Sequence, residues 1–251
     1  MALALVTQPA LVFGSHTANC SEYDYVHRWV GYLSDNWVDH RYGVKATFTG
    51  VPLELCSSPR PGEGSASVAW VAIQGKDPGC CSIVQIGLGR CYPTTSNTCT
   101  SDTRFTNRDF WAYGYDRNSP GCSGMPASLQ PSGWWWANSS GGYPYSVTED
   151  TSGNFDLVAH YGSVGLPSSE ICWSNDTVAV STESWDYGDA LGHTSALPLN
   201  VSQERFKTSA SGAWLVLPSL CNLRAKESGG DPGSVFHCAV NGASLDIWTA
   251  R

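Results

Sequence analysis

Few side chains in this chain are placed to do chemistry, and their spacing limits what that chemistry can be. The acidic run Glu183-Ser184-Trp185-Asp186-Tyr187-Gly188-Asp189 offers several carboxylates, and a glycoside hydrolase divides acid and base duties between two of them. A pair on one strand must sit two or four residues apart to share a face, because successive side chains alternate. Glu183 and Asp186 are three apart and so fall on opposite faces, while Asp186 and Asp189 suit a turn around Gly188. This spacing argues against a glycosidase. The histidines, His16, His27, His40, His160, His193 and His237, are dispersed along the chain, which favours hydrogen-bonded structural roles over a metal-ligand set. Gly121-Cys122-Ser123-Gly124 has the wrong spacing for a nucleophile elbow, and no HExxH, P-loop or EF-hand pattern occurs. Neither a metal nor a cofactor is expected. The remaining candidates are aromatic. Trp134-Trp135-Trp136 is flanked by Gly133 and Asn138 and followed by Tyr143 and Tyr145. Exposed rings stack on sugars or on a partner protein. In a strand, however, alternate Trp residues plug the core, leaving either Trp135 or the Trp134/Trp136 pair outside. Both readings stay open at this point.

The elements that must position these residues are strands. With 26 Gly, 14 Pro and only two Met, the chain has a poor helix composition. Short runs rich in Val, Ile, Thr, Tyr, Phe and Trp are separated by Gly, Pro, Asn and Ser instead. They predict strands over Tyr42–Val51, Ala66–Gln74, Ser82–Arg90, Phe110–Tyr115, Phe155–Tyr161, Thr177–Trp185, Leu197–Gln203, Ala213–Pro218, Ser234–Val240 and Leu245–Trp248. In Ser82–Arg90 the alternation is clean: Ile83, Gln85, Gly87 and Gly89 share one face, and Val84, Ile86 and Leu88 the other. Asn241-Gly242 is a strong two-residue hairpin signal, whereas Pro93–Thr103 and Asn118–Gly142 read as loops. Ten or more strands at this spacing predict an all-β fold, an antiparallel β-sandwich or jelly roll. At 251 residues such a sandwich can be a single domain. We expect residues 42–251 to form it and residues 1–41 to be an N-terminal extension packed on it. A net charge of −8 argues against nucleic acid, whose binding needs a basic patch. No apolar run is long enough to insert into a membrane as a helix.

The segments around Gln85 and Glu183 resemble the glutamic peptidases of the eqolisin type, which are concanavalin A-like β-sandwiches. The resemblance rests on Trp70-Val71-Ala72-Ile73-Gln74-Gly75, Ile83-Val84-Gln85-Ile86-Gly87 and the aromatic strand Phe110-Trp111-Ala112-Tyr113-Gly114-Tyr115. Val180-Ser181-Thr182-Glu183 and the loop Gly188–Thr194 complete it, so that it covers roughly Tyr42 to Gln203. It implies a Gln/Glu dyad. Glu183 would act as general base on the attacking water and return the proton to the leaving amine. The Gln85 amide would donate to the developing oxyanion, a contact worth about 3 kcal/mol when preorganised. A carboxylate with an ordinary pKa near 4 confines that chemistry to acidic medium. The strand of Glu183 lacks the Glu-Trp-Ile pattern of the fungal enzymes.

Ten cysteines without a CxxC pair predict disulfides in an oxidising, extracellular or surface-exposed setting rather than zinc knuckles. Cys91–Cys99 and Cys221–Cys238 are the plausible local staples. Met1–Ala18 is apolar in two bursts broken by Pro9 and carries no Lys or Arg, which is unlike a secretory signal. Asn19, Asn138, Asn175 and Asn200 begin N-x-Ser/Thr sequons. Two functions are therefore expected from this sequence. One is an acid peptidase that takes a polypeptide substrate at Gln85 and Glu183. The other is a non-catalytic surface protein, either a homo-oligomeric or assembly subunit or a carbohydrate-binding module. That second function would bind a glycan or protein surface through Trp134, Trp135, Trp136, Trp70, Trp111 and Tyr113.

Overall fold

The computed structural model describes residues 25–33, 40–50, 53, 55, 66–75, 82–91, 108–114, 130–136, 143–160, 162–168, 177–186, 198–217 and 236–249, with 25–33, 50, 66, 82, 130–136, 184–186, 236 and 249 as backbone path only. Among these residues there are fourteen strands and no α-helix. The first sheet contains β1 (Tyr25–Leu33), β3 (Ala66–Gly75), β4 (Ser82–Cys91), β5 (Arg108–Gly114), β6 (Gln130–Trp136) and β10 (Thr177–Asp186), in the order β1-β10-β3-β4-β5-β6. The second contains β2 (Gly43–Gly50), β7 (Tyr143–Glu149), β8 (Phe155–Val158), β9 (Ser163–Leu166), β11 (Leu199–Lys207), β13 (Phe236–Asn241) and β14 (Ser244–Thr249). Its order is β13-β14-β11-β2-β7-β8-β9, and the short β12 (Leu215–Val216) also pairs with β11. Every pairing is antiparallel. The architecture is the expected antiparallel β-sandwich.

The period-two pattern builds the core. From the first sheet come Ala69, Val71 and Ile73 of β3, Val84, Ile86 and Leu88 of β4, and Val178 and Val180 of β10. Facing them are Val44, Ala46 and Phe48 of β2, Tyr143, Tyr145 and Val147 of β7, Leu199 and Val201 of β11, and Leu245 and Ile247 of β14. Each of the larger side chains contributes about 1.5–3 kcal/mol by leaving water. A polar link crosses this layer: the Tyr145 hydroxyl donates to Asp109 Oδ1 at 2.6 Å, and Asp109 is wholly buried.

Four strands were not expected from sequence. β1 falls inside the expected N-terminal extension and is an edge strand of the first sheet, paired with β10. β9 adds the outer edge of the second sheet. β6 falls inside the expected loop 118–142, because Pro131 and Gly133 read as breakers. Proline is tolerated there because β6 is an edge strand. In β7, Pro144 pairs only toward β2, since the ladder with β8 begins at Ser146. Its missing N–H therefore costs no ladder bond. The hairpin at Gly242 forms one residue later than expected. Asn241 pairs with Ser244, so Gly242-Ala243 is the turn, and Gly242 at φ +63° supplies the positive φ its first position needs.

Candidate functional site

The face of the first sheet that points away from the core is laid out by register, in four rows across β10, β3, β4 and β5. The rows are Glu183-Val68-Gly89-Arg108, then Ser181-Trp70-Gly87-Phe110, then Ala179-Ala72-Gln85-Ala112, and last Thr177-Gln74-Ile83-Gly114. A second apolar cluster lies on this face, formed by Val68, Trp70, Ala72, Ile83, Phe110 and Ala179.

Gln85 and Glu183 share this face, as their strand parity requires. The register does not bring them together. They are two strands and two rows apart, about 10 Å across and 13 Å along, or about 16 Å between Cα atoms. The row between them carries Trp70 and Phe110, both buried. Glu183 is itself buried at 8% exposure, and its Oε2 accepts a hydrogen bond from Trp70 Nε1 at 2.9 Å. A buried carboxylate needs such donors, so in this arrangement Glu183 is anchored to the indole. Gln85 lies in a row whose other members are all alanines. Gly87 is there for close approach: a Cβ at that position would meet Ala69 O at 2.0 Å and Trp70 Cα at 2.6 Å.

The aromatic candidates divide by face. Trp111 and Tyr113 alternate out of the site face and pack against the core between the sheets, their rings stacked at 6.2 Å. Both are partly exposed, and they lie on the opposite face of β5 from Phe110 and Ala112. Trp70 is on the site face but buried against Glu183. Trp134 and Trp136 are in register with Phe110 and Arg108, and Trp135 with Asp109. Cys91 and Cys238 are both disulfide-bonded. Cys99 and Cys221 lie outside the described residues, as do Asp189 and Met1–Ala18. No group of three or more His, Cys, Asp or Glu that could hold a metal occurs among the described residues. Nor is any described helix long and apolar enough to cross a membrane.

Two polar residues of this face were not singled out from sequence. Arg108, 6% exposed, closes the row that begins with Glu183. Gln74 sits diagonally beside Gln85. The signal for Gln74 was its even spacing from Trp70 and Ala72, which puts all three on one face.

The fold has known counterparts. The crystal structure of scytalido-glutamic peptidase with a peptide-based transition-state analogue superposes with a TM-score of 0.52 at 14% identity, covering 88% of this chain and 97% of that one. The chain has the glutamic-peptidase fold. A second structure, SCP-B of the eqolisin family in complex with the tripeptide Ala-Ile-His, aligns at 13% identity over 88% of this chain and 96% of that one, with a TM-score of 0.46. No family model matches the sequence, and no curated protein matches it either. The likeness of the glutamic-peptidase fold to this chain is therefore one of architecture, and function has to be argued from the site.

Proposed function

We propose that the chain binds an extended polypeptide across the six-stranded sheet at Gln85. The observation that carries this reading is Gln85, partly exposed and set among Ala72, Ala112 and Ala179 on the face of a sheet with the glutamic-peptidase fold. Those alanines are buried, so Gln85 is the open position of its row, and a carboxamide offers both a donor and an acceptor to a peptide group. The disulfide-bonded Cys91 and Cys238 support an oxidising, extracellular setting. Trp111 and Tyr113 lie on the other face of the sheet from Gln85, so they are not part of this surface.

Peptide hydrolysis is the second reading, favoured by the fold and by the shared face of Gln85 and Glu183. In it, Glu183 takes a proton from water as the water oxygen attacks the peptide carbonyl carbon. The Gln85 amide donates to the oxyanion, and the proton passes to the departing amine as the C–N bond breaks. A general base must come within hydrogen-bond reach of its water, and the Trp70–Phe110 row now separates the two residues, so binding without turnover is the primary reading. Incubation with a mixed peptide library between about pH 2 and 7, where carboxylates titrate, decides between them. Retention of peptides without new termini, lost in Gln85→Ala, supports binding. Cleavage by the wild type that vanishes in Glu183→Gln supports hydrolysis. No retention and no cleavage by folded protein overturns both.

A further inference from the structure

The site face is closed almost everywhere. Of its positions on β10, β3, β4 and β5 whose side chains are described, all are buried except two, Gln74 and Gln85, which are partly exposed. The pattern is not one of polarity alone, since Thr177, Ser181, Glu183 and Arg108 on the same face are buried as well. The two open positions are neighbours. Gln74 pairs with Ile83 and Gln85 with Ala72, so they stand on adjacent strands, displaced by two residues along the sheet. No hydrogen bond ties either carboxamide to another described residue. The two partly exposed positions of this face thus carry the same amide chemistry.

We infer that Gln74 and Gln85 form a two-point clamp for the main chain of an extended polypeptide, and that Gln74 is a binding residue of the site. This inference rests on the proposed polypeptide-binding function. The spacing carries it. Diagonal neighbours on adjacent antiparallel strands have Cα atoms about 7–8 Å apart, and their Cβ atoms are somewhat closer. Alternate residues of an extended chain are about 6.5–7 Å apart. Two carboxamides at this separation meet the peptide groups of residues i and i+2, which in an extended chain point the same way. Each carboxamide donates N–H to a peptide carbonyl and accepts a peptide N–H at its oxygen. Such a clamp reads backbone and not side chains. It selects for extended, unmethylated polypeptide with little regard to sequence at those two residues.

The test uses the full chain with its disulfides intact and a fluorescein-labelled octapeptide selected for binding from a mixed library. The same peptide is remade with a single N-methyl group at each position in turn. Wild-type affinity should fall about fivefold at two positions, two residues apart, as expected for one hydrogen bond lost each time. Gln74→Ala should erase the sensitivity at one of these positions and Gln85→Ala at the other, with Gln74→Asn retaining a weakened response. Unchanged thermal unfolding of the variants shows that the fold is intact. Sensitive positions at another spacing, or a pattern indifferent to Gln74→Ala, would overturn the clamp while leaving the binding function standing. Failure of the wild type to bind any library peptide would overturn the binding function and the clamp together.

Discussion

The hydrogen bond between Trp70 and Glu183 can be weighed from its geometry, and its value bears on whether Glu183 is a structural or a reacting group. Trp70 is 5% exposed, Glu183 is 8% exposed, and the indole N–H donates at 2.9 Å. Replacing Trp70 by Phe removes the donor and part of the ring. A hydrogen bond to an ionised group contributes about 1.5–3 kcal/mol, and the smaller buried ring loses about another 1 kcal/mol. Trp70→Phe should therefore destabilise the protein by about 3 kcal/mol, read as a fall in the urea midpoint at constant m. Glu183→Gln keeps an oxygen acceptor but makes the bond neutral, which halves its strength, so a loss of about 1 kcal/mol is expected. In the double variant the two effects should fail to add by about 1 kcal/mol, since they share one interaction. Additivity within about 0.5 kcal/mol, the behaviour of independent sites, would refute the anchoring of Glu183 by Trp70.

Two further perturbations probe the second sheet. Gln203, exposed on β11, has φ +56° at the register shift between Ser202 and Arg205. Non-glycine residues pay steric strain there, so Gln203→Gly should stabilise the protein by about 1 kcal/mol in thermal or urea unfolding, while Gln203→Ala should not. The turn after β7 is organised by Asp150, whose carboxylate accepts from Ser152 N at 2.7 Å, Asn154 N at 3.0 Å and Asn154 Nδ2 at 2.9 Å. The Asn154 side-chain amide is the largest cause of a pKa held below the usual aspartate value. A carboxylate lowered in this way adds stability above its unfolded-state pKa and loses it as pH falls through the folded value. An NMR titration of the Asp150 carboxyl should therefore show its inflection below the usual range, rising toward it in Asn154→Ala. No movement would break the assignment.

How much was legible in the sequence depended on how local the signal was. In β4 the alternation of Val84, Ile86 and Leu88 with Gln85 and Gly87 assigned faces correctly from spacing alone, because period two is a property of one strand. The parity of β5 was equally legible, but nothing within Phe110–Tyr115 says which parity meets the core. The pairing of Gln85 with Ala112 settled it and sent Trp111 and Tyr113 inward. Pro131, Gly133 and Pro144 concealed β6 and β7, since a breaker is harmless where a strand has no neighbour on its donor side. The separation of Gln85 from Glu183 was beyond reach in principle. It depends on the stagger of β10 against β3 and of β3 against β4, and stagger is fixed by the assembled sheets rather than by any one segment.

The pairing of β1 with β10 has a consequence for how the chain is made. Leu33 finds Ala179 and Trp29 finds Glu183, so the first strand of the sandwich cannot close its ladder until nearly three quarters of the chain has been synthesised. At roughly 5–20 residues per second, that wait lasts on the order of ten to thirty seconds. Meanwhile β3, β4 and β5, which pair with near neighbours in sequence, can zip together and leave the flank of β3 open where β10 will later enter. An open flank of this kind is a template for any extended strand that arrives first. The newborn protein thus passes through a period in which its own half-built sheet presents an open edge to other strands. The arrival of β10 ends that exposure and, in the same step, sets Glu183 against Trp70.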